Sequence, residues 1–172
     1  MRVRAGIVGG TGYTAGELLQ LLVHHPQAEV AWVLSRSEAG RPVAAVHDAL
    51  VGLTDLTFCE SIPDEEVDVV FLCLPHGAAR PFLQDCALPP AAKIIDLSRD
   101  HRLAAAADGF VYGLPEWQAD RIAAATRVAN PGCFATALQL ALLPLARAGL
   151  LTDEVHVHAL TGATGAGRTP AP

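Results

Sequence analysis

Residues 6–22 read GIVGGTGYTAGELLQLL. An apolar run, Val3 to Val8, enters a glycine cluster and leaves it as a helical pattern in which Leu18, Leu19, Leu22 and Val23 recur at three- to four-residue spacing before His24-His25-Pro26. Gly10, Gly12 and Ala15 satisfy G-x-G-x-x-G/A, and Gly9, Gly12 and Ala15 satisfy a G-x-x-G-x-x-A variant. A dinucleotide pyrophosphate needs a tight turn, a backbone bare enough to approach, and close packing of helix on strand. The amides at the helix start then face the phosphates, with the helix dipole assisting. The turn made of Gly9, Gly10, Thr11, Gly12, Tyr13, Thr14 and Ala15 is therefore the candidate cofactor cradle. A lone glycine pattern is weak, but here the strand before it and the amphipathic helix after it supply the required context.

Working outward, short apolar runs alternate with helical patterns, the sequence form of βαβ units. Strands are expected at 29–34, around 56–59, at 67–74, 93–97 and 126–129, with 67–74 (VDVVFLCL) as the central, nearly uninterrupted one. Helices are expected over 77–88, with Pro81 in the first turn, over 116–125, and over 131–147, where Pro144 kinks or ends the helix and Gly149 caps it. The alanine run 104–107 predicts a helical turn, and 35–55 is polar and irregular. Residues 1–150 thus predict one α/β domain, a doubly wound, mostly parallel Rossmann-type sheet. Beyond it, Glu154 to Leu160 alternates like a strand, and 151–172 reads as the opening of a second unit.

The composition agrees with a folded domain that buries a substantial core. Hydrophobic residues make up 51% of the 172 and charged residues 17%, which excludes a disordered chain. Twelve Lys+Arg against 18 Asp+Glu leave a formal charge of −6, which argues against nucleic acid as a partner. The longest apolar run, 67–75, is too short to span a bilayer, so no membrane partner is expected. The N-terminus lacks the apolar core of a signal peptide. The expected location is therefore the cytoplasm, with Cys59, Cys73, Cys86 and Cys133 as free thiols. Five acids between Glu60 and Asp68 suggest a solvated loop, and His156 and His158 share a face with no third ligand to make a metal site.

Two further segments carry chemistry. The predicted second strand ends in Ser35-Arg36-Ser37, where an NAD enzyme would place an acid against the ribose 2′-hydroxyl. Arg36 can fork onto a 2′-phosphate and the serines can donate to it, which favours NADP(H); the alternative is a solvated loop charge. In Asn130-Pro131-Gly132-Cys133, Asn suits an N-cap and Pro the first helical position, placing Cys133 in the first turn. Free amides there favour a thiolate, which is a nucleophile toward acyl groups, and the same amides can hold an oxyanion. Spacing alone leaves a buried structural cysteine equally open.

Seven motifs then occur in the order seen in the N-acetyl-gamma-glutamyl-phosphate reductase family: GGTGYTAGEL (9–18), SRSEAGRPV (35–43), LPHGAA (74–79), IDLSRDHRL (95–103), YGLPE (112–116), NPGCFAT (130–136) and TGATGAGR (161–168). The chain resembles that family of NADPH-dependent enzymes of arginine biosynthesis over essentially all of its length. The resemblance implies that Cys133 is the nucleophile that forms a thioester with the acyl phosphate substrate and expels phosphate. It implies that Gly9, Gly12 and Ala15 hold the pyrophosphate and that Ser35 and Arg36 contact the adenosine side. Pro75, His76 and Gly77 are placed near the cofactor, Ser98, Arg102 and Glu116 around the substrate, and the Thr161 to Gly167 loop near the nicotinamide. The sequence departs from the family at Phe134-Ala135, where Tyr-Pro is usual, and at His101, where an aromatic is usual. Family members are roughly twice as long, and their catalytic histidine lies in a following α+β substrate and dimerisation domain, of which 151–172 would be the truncated start. A homo-oligomer is implied for the complete enzyme. Two alternatives stay open: the same chemistry on N-acetyl-aminoadipyl phosphate in lysine biosynthesis, and, for this piece alone, a non-catalytic NADP-binding module. An unpaired strand at 154–160 would make the piece poorly soluble.

Overall fold

The computed structural model describes residues 1–166. Strand β1 (Val3–Val8) alternates its side chains between two apolar layers: Ile7 packs with Leu19 and Phe58 on one side, Val8 with Trp32 and Leu72 on the other. A strand buried on both faces needs a partner on each edge and a layer on each side. Strands β2 (Ala28–Leu34) and β4 (Val69–Leu72) flank it in parallel. Strands β3 (Phe58–Cys59), β5 (Lys93–Asp96), β6 (Val111–Tyr112) and β7 (Arg127–Ala129) complete a sheet of order β3-β2-β1-β4-β5-β7-β6 in which every pair is parallel.

Helix α1 (Tyr13–Val23) buries Ala15 and Leu19 against one face, joined there by Val43 and Leu50 from two short 3₁₀ turns in the 35–55 segment. Helix α2 (Ala79–Asp85) lays Ala79, Phe82 and Leu83 on the opposite face. The sheet is thus doubly wound. Its order reverses at β1 and β4, and a crevice at such a switch point is where open α/β sheets take their ligands. Helix α3 (Pro115–Ala124), broken at Gln118, and helix α4 (Cys133–Arg147) follow near the far edge.

Several expectations change. Strand β4 spans four residues rather than eight, because its ladder extends only as far as its partners Ala5–Val8 and Lys93–Asp96. Strand β6 has two residues, too few to leave a period in the sequence. The alanine turn forms as a 3₁₀ turn at Ala104–Ala106. Pro144 does not end the helix: α4 runs on to Arg147, and the Pro144 carbonyl still accepts the Ala148 N–H at 3.1 Å. The strand expected at Glu154–Leu160 is not formed. These residues pair with no strand among the described ones, and Val155, Val157 and Leu160 are exposed. Alternating sequence makes a strand only where a neighbouring edge can accept its ladder hydrogen bonds. The acidic stretch 60–68 is also not merely solvated. Arg4 bridges Glu29 at 3.0 Å, bonds Glu65 and donates to the Glu66 carbonyl at 2.7 Å, while its own N–H donates to Asp68 at 2.7 Å.

Candidate active site

Because every strand runs the same way, the segments after β1, β2, β4, β5 and β7 emerge at one edge of the sheet. These carry the glycine turn, Ser35-Arg36, Pro75-His76-Gly77, Ser98 to Arg102, and Cys133. The topology therefore gathers residues up to 124 positions apart (133 − 9) along one sheet edge.

The glycine turn is built by exclusion. Gly9 has φ +81°, and a Cβ there would stand 2.7 Å from the Cys73 carbonyl oxygen, a backbone atom that cannot yield. A Cβ on Gly10 would overlap the Val33 side chain. The N–H groups of Gly9 and Gly10 both donate to the Leu34 carbonyl, at 3.1 and 3.0 Å, which ties the turn to the end of β2. Gly12 is different: nothing lies within 4 Å of its absent Cβ, and it sits at the N-cap of α1 with no acid in the first turn. Ala15 is fully buried, which brings α1 down onto the sheet, while Tyr13 and Thr14 are exposed at the helix start. A backbone turn closed behind and open in front, at the N-terminus of an eleven-residue helix, fits a pyrophosphate.

At the end of β2, Ser35 is buried, its N–H donating to the Cys59 carbonyl at 3.1 Å, and its hydroxyl lies 3.3 Å from that of Ser37. Arg36 is exposed beside them, with Nη2 4.0 Å from the Cys86 sulfur. An exposed guanidinium with no acid partner among the described residues suits a 2′-phosphate at this position.

The segments after β4 and β5 lock together. The Asp100 carboxylate accepts the N–H of Gly77 at 2.6 Å, of Ala79 at 3.0 Å and of Arg80 at 3.4 Å, and His76 Nδ1 accepts the Arg99 N–H at 3.2 Å. Partial burial pushes the Asp100 carboxyl up, but the three amides and the nearby His101 outweigh it and hold it below its ordinary value. Arg80 returns the contact by donating to the carbonyls of Asp100 and Ala106 and pairing with Asp108.

Asp96 is the buried hub beneath the β5 turn. Its carboxylate accepts the Ser98 N–H and hydroxyl at 2.8 and 2.9 Å and His101 Nδ1 at 2.6 Å, and its carbonyl accepts the Asn130 N–H at 2.8 Å. His101 also stacks on Phe110, centroids 4.1 Å apart, so it fills an aromatic's place and adds a hydrogen bond. Ser98 is buried with its hydroxyl engaged by Asp96 and by the Asp100 N–H at 3.1 Å. Arg102 donates from Nε to the Asn130 carbonyl and from Nη2 to the Leu97 carbonyl, both at 2.8 Å, so it clamps the loop before Cys133 to the end of β5. Glu116 stands apart, facing Gln139, Leu143 and Arg147 along α4 rather than its start.

Cys133 is the first residue of α4 and is exposed, unlike the other three cysteines. Cys73 is buried and its thiol is pushed up to about 12, by burial first and by Asp96 second. Burial also raises Cys59, whose sulfur donates to the Val33 carbonyl. Cys133 thus combines access with a helix N-terminus, the setting of a nucleophile. The Thr161 to Gly167 loop is described only through Ala166, where residues 163–166 form a 3₁₀ turn; Gly167 lies outside the described residues. Sequence reasoning missed His47, whose ring reaches the glycine turn, and the capping role of Asp100. Val43 and Leu50, seven apart in a stretch assigned as irregular, were the available sign that 43–50 turns one face inward.

A glycine turn at the switch point of the sheet and an exposed cysteine at a helix start define a nucleotide-binding α/β domain of the dehydrogenase type. The sequence profile of the semialdehyde dehydrogenase NAD binding domain matches residues 4–125, and that of the semialdehyde dehydrogenase dimerisation domain matches 133–172. The chain belongs to the semialdehyde dehydrogenase family. Among curated relatives, proteins named N-acetyl-gamma-glutamyl-phosphate reductase from Bacteroides fragilis strain YCH46 and Christiangramia forsetii are 49% and 50% identical over 98% and 96% of this chain. The chain covers 52% and 51% of those proteins, so it spans about half the length of the curated relatives it matches. Among solved structures, an aspartate semialdehyde dehydrogenase from Candida albicans with NADP superposes at a TM-score of 0.66 with 19% identity, covering 87% of this chain and 48% of that one. A second, from Vibrio cholerae, superposes at 0.64 with 15% identity over 86% of this chain and 43% of its own.

Proposed function

We propose that this chain is the cofactor-binding and nucleophile-bearing part of an NADPH-dependent reductase that converts N-acetyl-gamma-glutamyl phosphate to N-acetylglutamate 5-semialdehyde, a step of arginine biosynthesis. The observation that carries the reading is the exposed Cys133 at the start of α4, on the same sheet edge as the glycine turn, in a chain about half identical to relatives bearing that enzyme's name. Residues 1–150 form the NADP-binding unit in this reading, and 151–172 begin the substrate and dimerisation unit of a homo-oligomer.

Gly9, Gly10, Thr11, Gly12, Tyr13, Thr14 and Ala15 would hold the pyrophosphate, Ser35 and Arg36 the 2′-phosphorylated ribose, and Pro75, His76 and Gly77 the nicotinamide side. When bound, NADPH supplies the hydride that reduces the acyl carbon. Cys133 Sγ attacks that carbon; a C–S bond forms, the C–O bond to the phosphoryl group breaks, and inorganic phosphate leaves. The N-terminal amides of α4 face the oxyanion formed at the attacked carbonyl. Once the thioester carbon is reduced, its C–S bond breaks, the aldehyde departs and the thiolate is restored. Arg102 keeps the Cys133 loop against β5 through two carbonyls, and its remaining guanidinium nitrogen, Nη1, beside Gly132, is available to the departing phosphate. Ser98, its hydroxyl held by Asp96, would shape the β5 side of the proposed substrate cleft, whereas Glu116, which faces along α4, lies outside it.

The reverse reaction is the test. The complete protein is expected to reduce NADP⁺ with N-acetylglutamate semialdehyde only when phosphate is present, and Cys133→Ser is expected to lower that rate by at least about 10³-fold. A Cys133→Ser enzyme with undiminished turnover overturns the assignment, and a preference for the one-carbon-longer semialdehyde moves it to the aminoadipyl substrate.

A further inference from the structure

His47 is buried, lies between the two 3₁₀ turns at 43–45 and 48–50, and takes no part in the chemistry described above. Its Nε2 is 2.7 Å from the Gly10 carbonyl oxygen. A carbonyl only accepts, so the imidazole donates. The other side of the ring is pressed on α1, where a Cβ on Gly16 would stand 2.6 Å from Nδ1. Gly16 is thus small because the ring needs its space, and the ring is aimed because Gly16 leaves it one place to lie.

We infer that His47 is a positioning residue for the cofactor turn, setting the direction of the amide that meets the dinucleotide pyrophosphate. In a trans peptide the carbonyl of one residue and the N–H of the next point in opposite directions, and no cis bond occurs among the described residues. By drawing the Gly10 carbonyl inward, His47 turns the Thr11 N–H outward, toward the open side of the turn. The amides of Gly9 and Gly10 are already spent on the Leu34 carbonyl, so Thr11 is the first residue of the turn whose N–H is aimed at a ligand. A glycine-rich turn is by nature free to rotate its peptide planes. The histidine removes that freedom before the cofactor arrives, which reduces the ordering cost of binding.

The inference rests on the cofactor reading above, and the test separates the two. NADPH affinity is measured by calorimetry, and folding by thermal melting, for the complete wild-type protein, His47→Leu, His47→Gln, Gly16→Ala and the double variant Gly16→Ala/His47→Leu. His47→Leu is expected to weaken NADPH binding about five- to tenfold, the worth of one neutral hydrogen bond. His47→Gln, which keeps an N–H donor at similar reach, should recover most of it. Gly16→Ala adds the better helix former yet crowds the ring, so it should weaken NADPH binding, with the melting temperature lowered only as far as the gain in helix propensity fails to offset the overpacking. The double variant should bind no worse than the weaker single one, since both act through the same contact. NADPH binding at the wild-type level in Gly16→Ala, with the helix intact, overturns the inference, and does so even if His47→Leu fails to fold. A wild-type protein that binds no NADPH overturns the cofactor reading itself.

Discussion

Asp100 shows how a surface carboxylate can organise a site without joining its chemistry. It receives three amides from the segment after β4, and through them holds Pro75-His76-Gly77 in place. Its carboxyl lies below its ordinary value of 3.8, so the folded state binds its proton more weakly than the unfolded state does. The stabilisation it provides is therefore fully present above about pH 4 and is lost as the pH falls through the lower folded value. Asp100→Asn is expected to lower the urea midpoint relative to wild type at pH 7, and the gap should close steadily below pH 4 in a denaturation series. A gap that stays constant with pH would remove the carboxylate from this role. The four cysteines divide on the same physical grounds. Burial disarms Cys73, whereas Cys133 differs from it only in where the chain places it.

Among the elements, α4 has the most complete ending. The Gly149 N–H donates to the Ala146 carbonyl at 3.0 Å and the Leu150 N–H to the Leu145 carbonyl at 2.9 Å, with Gly149 at φ +70°. That is a Schellman closure, and an L-residue at the left-handed position costs about 1–2 kcal/mol. Gly149→Ala is expected to lower stability by about 1 kcal/mol, read from chemical denaturation. The strand β1 carries a related constraint in its interior: a Cβ at Gly6 would overlap the Trp32 indole, so a glycine that weakens a strand in general here admits the largest side chain of the core. Helix α2, by contrast, has no cap of its own and borrows Asp100 from the loop after β5.

The molecule as a whole is unevenly covered. The sheet from β3 to β5 has apolar layers on both sides, but α4 buries none of its fifteen residues, and Phe134, Leu140 and Leu145 stand exposed along it with Trp117 nearby on α3. The residues after it, Leu150 to Leu160, are exposed as well. An apolar surface of this kind on an isolated chain favours association. Expressed by itself, the 172-residue chain is expected to run larger than its 18.0 kDa in light scattering, and Leu140→Glu together with Leu145→Glu should shift it toward the monomer. A monodisperse monomer without those changes would show that the exposed face is harmless. No helix among the described residues is long and apolar enough to cross a membrane.

Local chemistry was sufficient for much of this. The order of strand, glycine turn and helix at 3–23 and the break at Pro26 each follow from residues within one or two turns of each other, so the sequence states them directly; the start of α4 was legible only to within two residues, because Gly132 rather than Asn130 is its N-cap and Cys133 rather than Pro131 its first residue. Periodicity likewise located β2, β5, β7 and the whole of β4, which it overran at both ends, and a parallel order followed from the alternation of strands with helices. Three things needed the fold. A two-residue edge strand such as β6 exists only through its partner, and the alternating 154–160 stretch is not a strand because no edge accepts it. The clamp of Arg102 on Asn130, the cap of Asp100 on α2 and the grip of His47 on Gly10 join residues 20 to 37 positions apart. Such pairings are set by where parallel strands deliver their loops, and no local pattern encodes that distance.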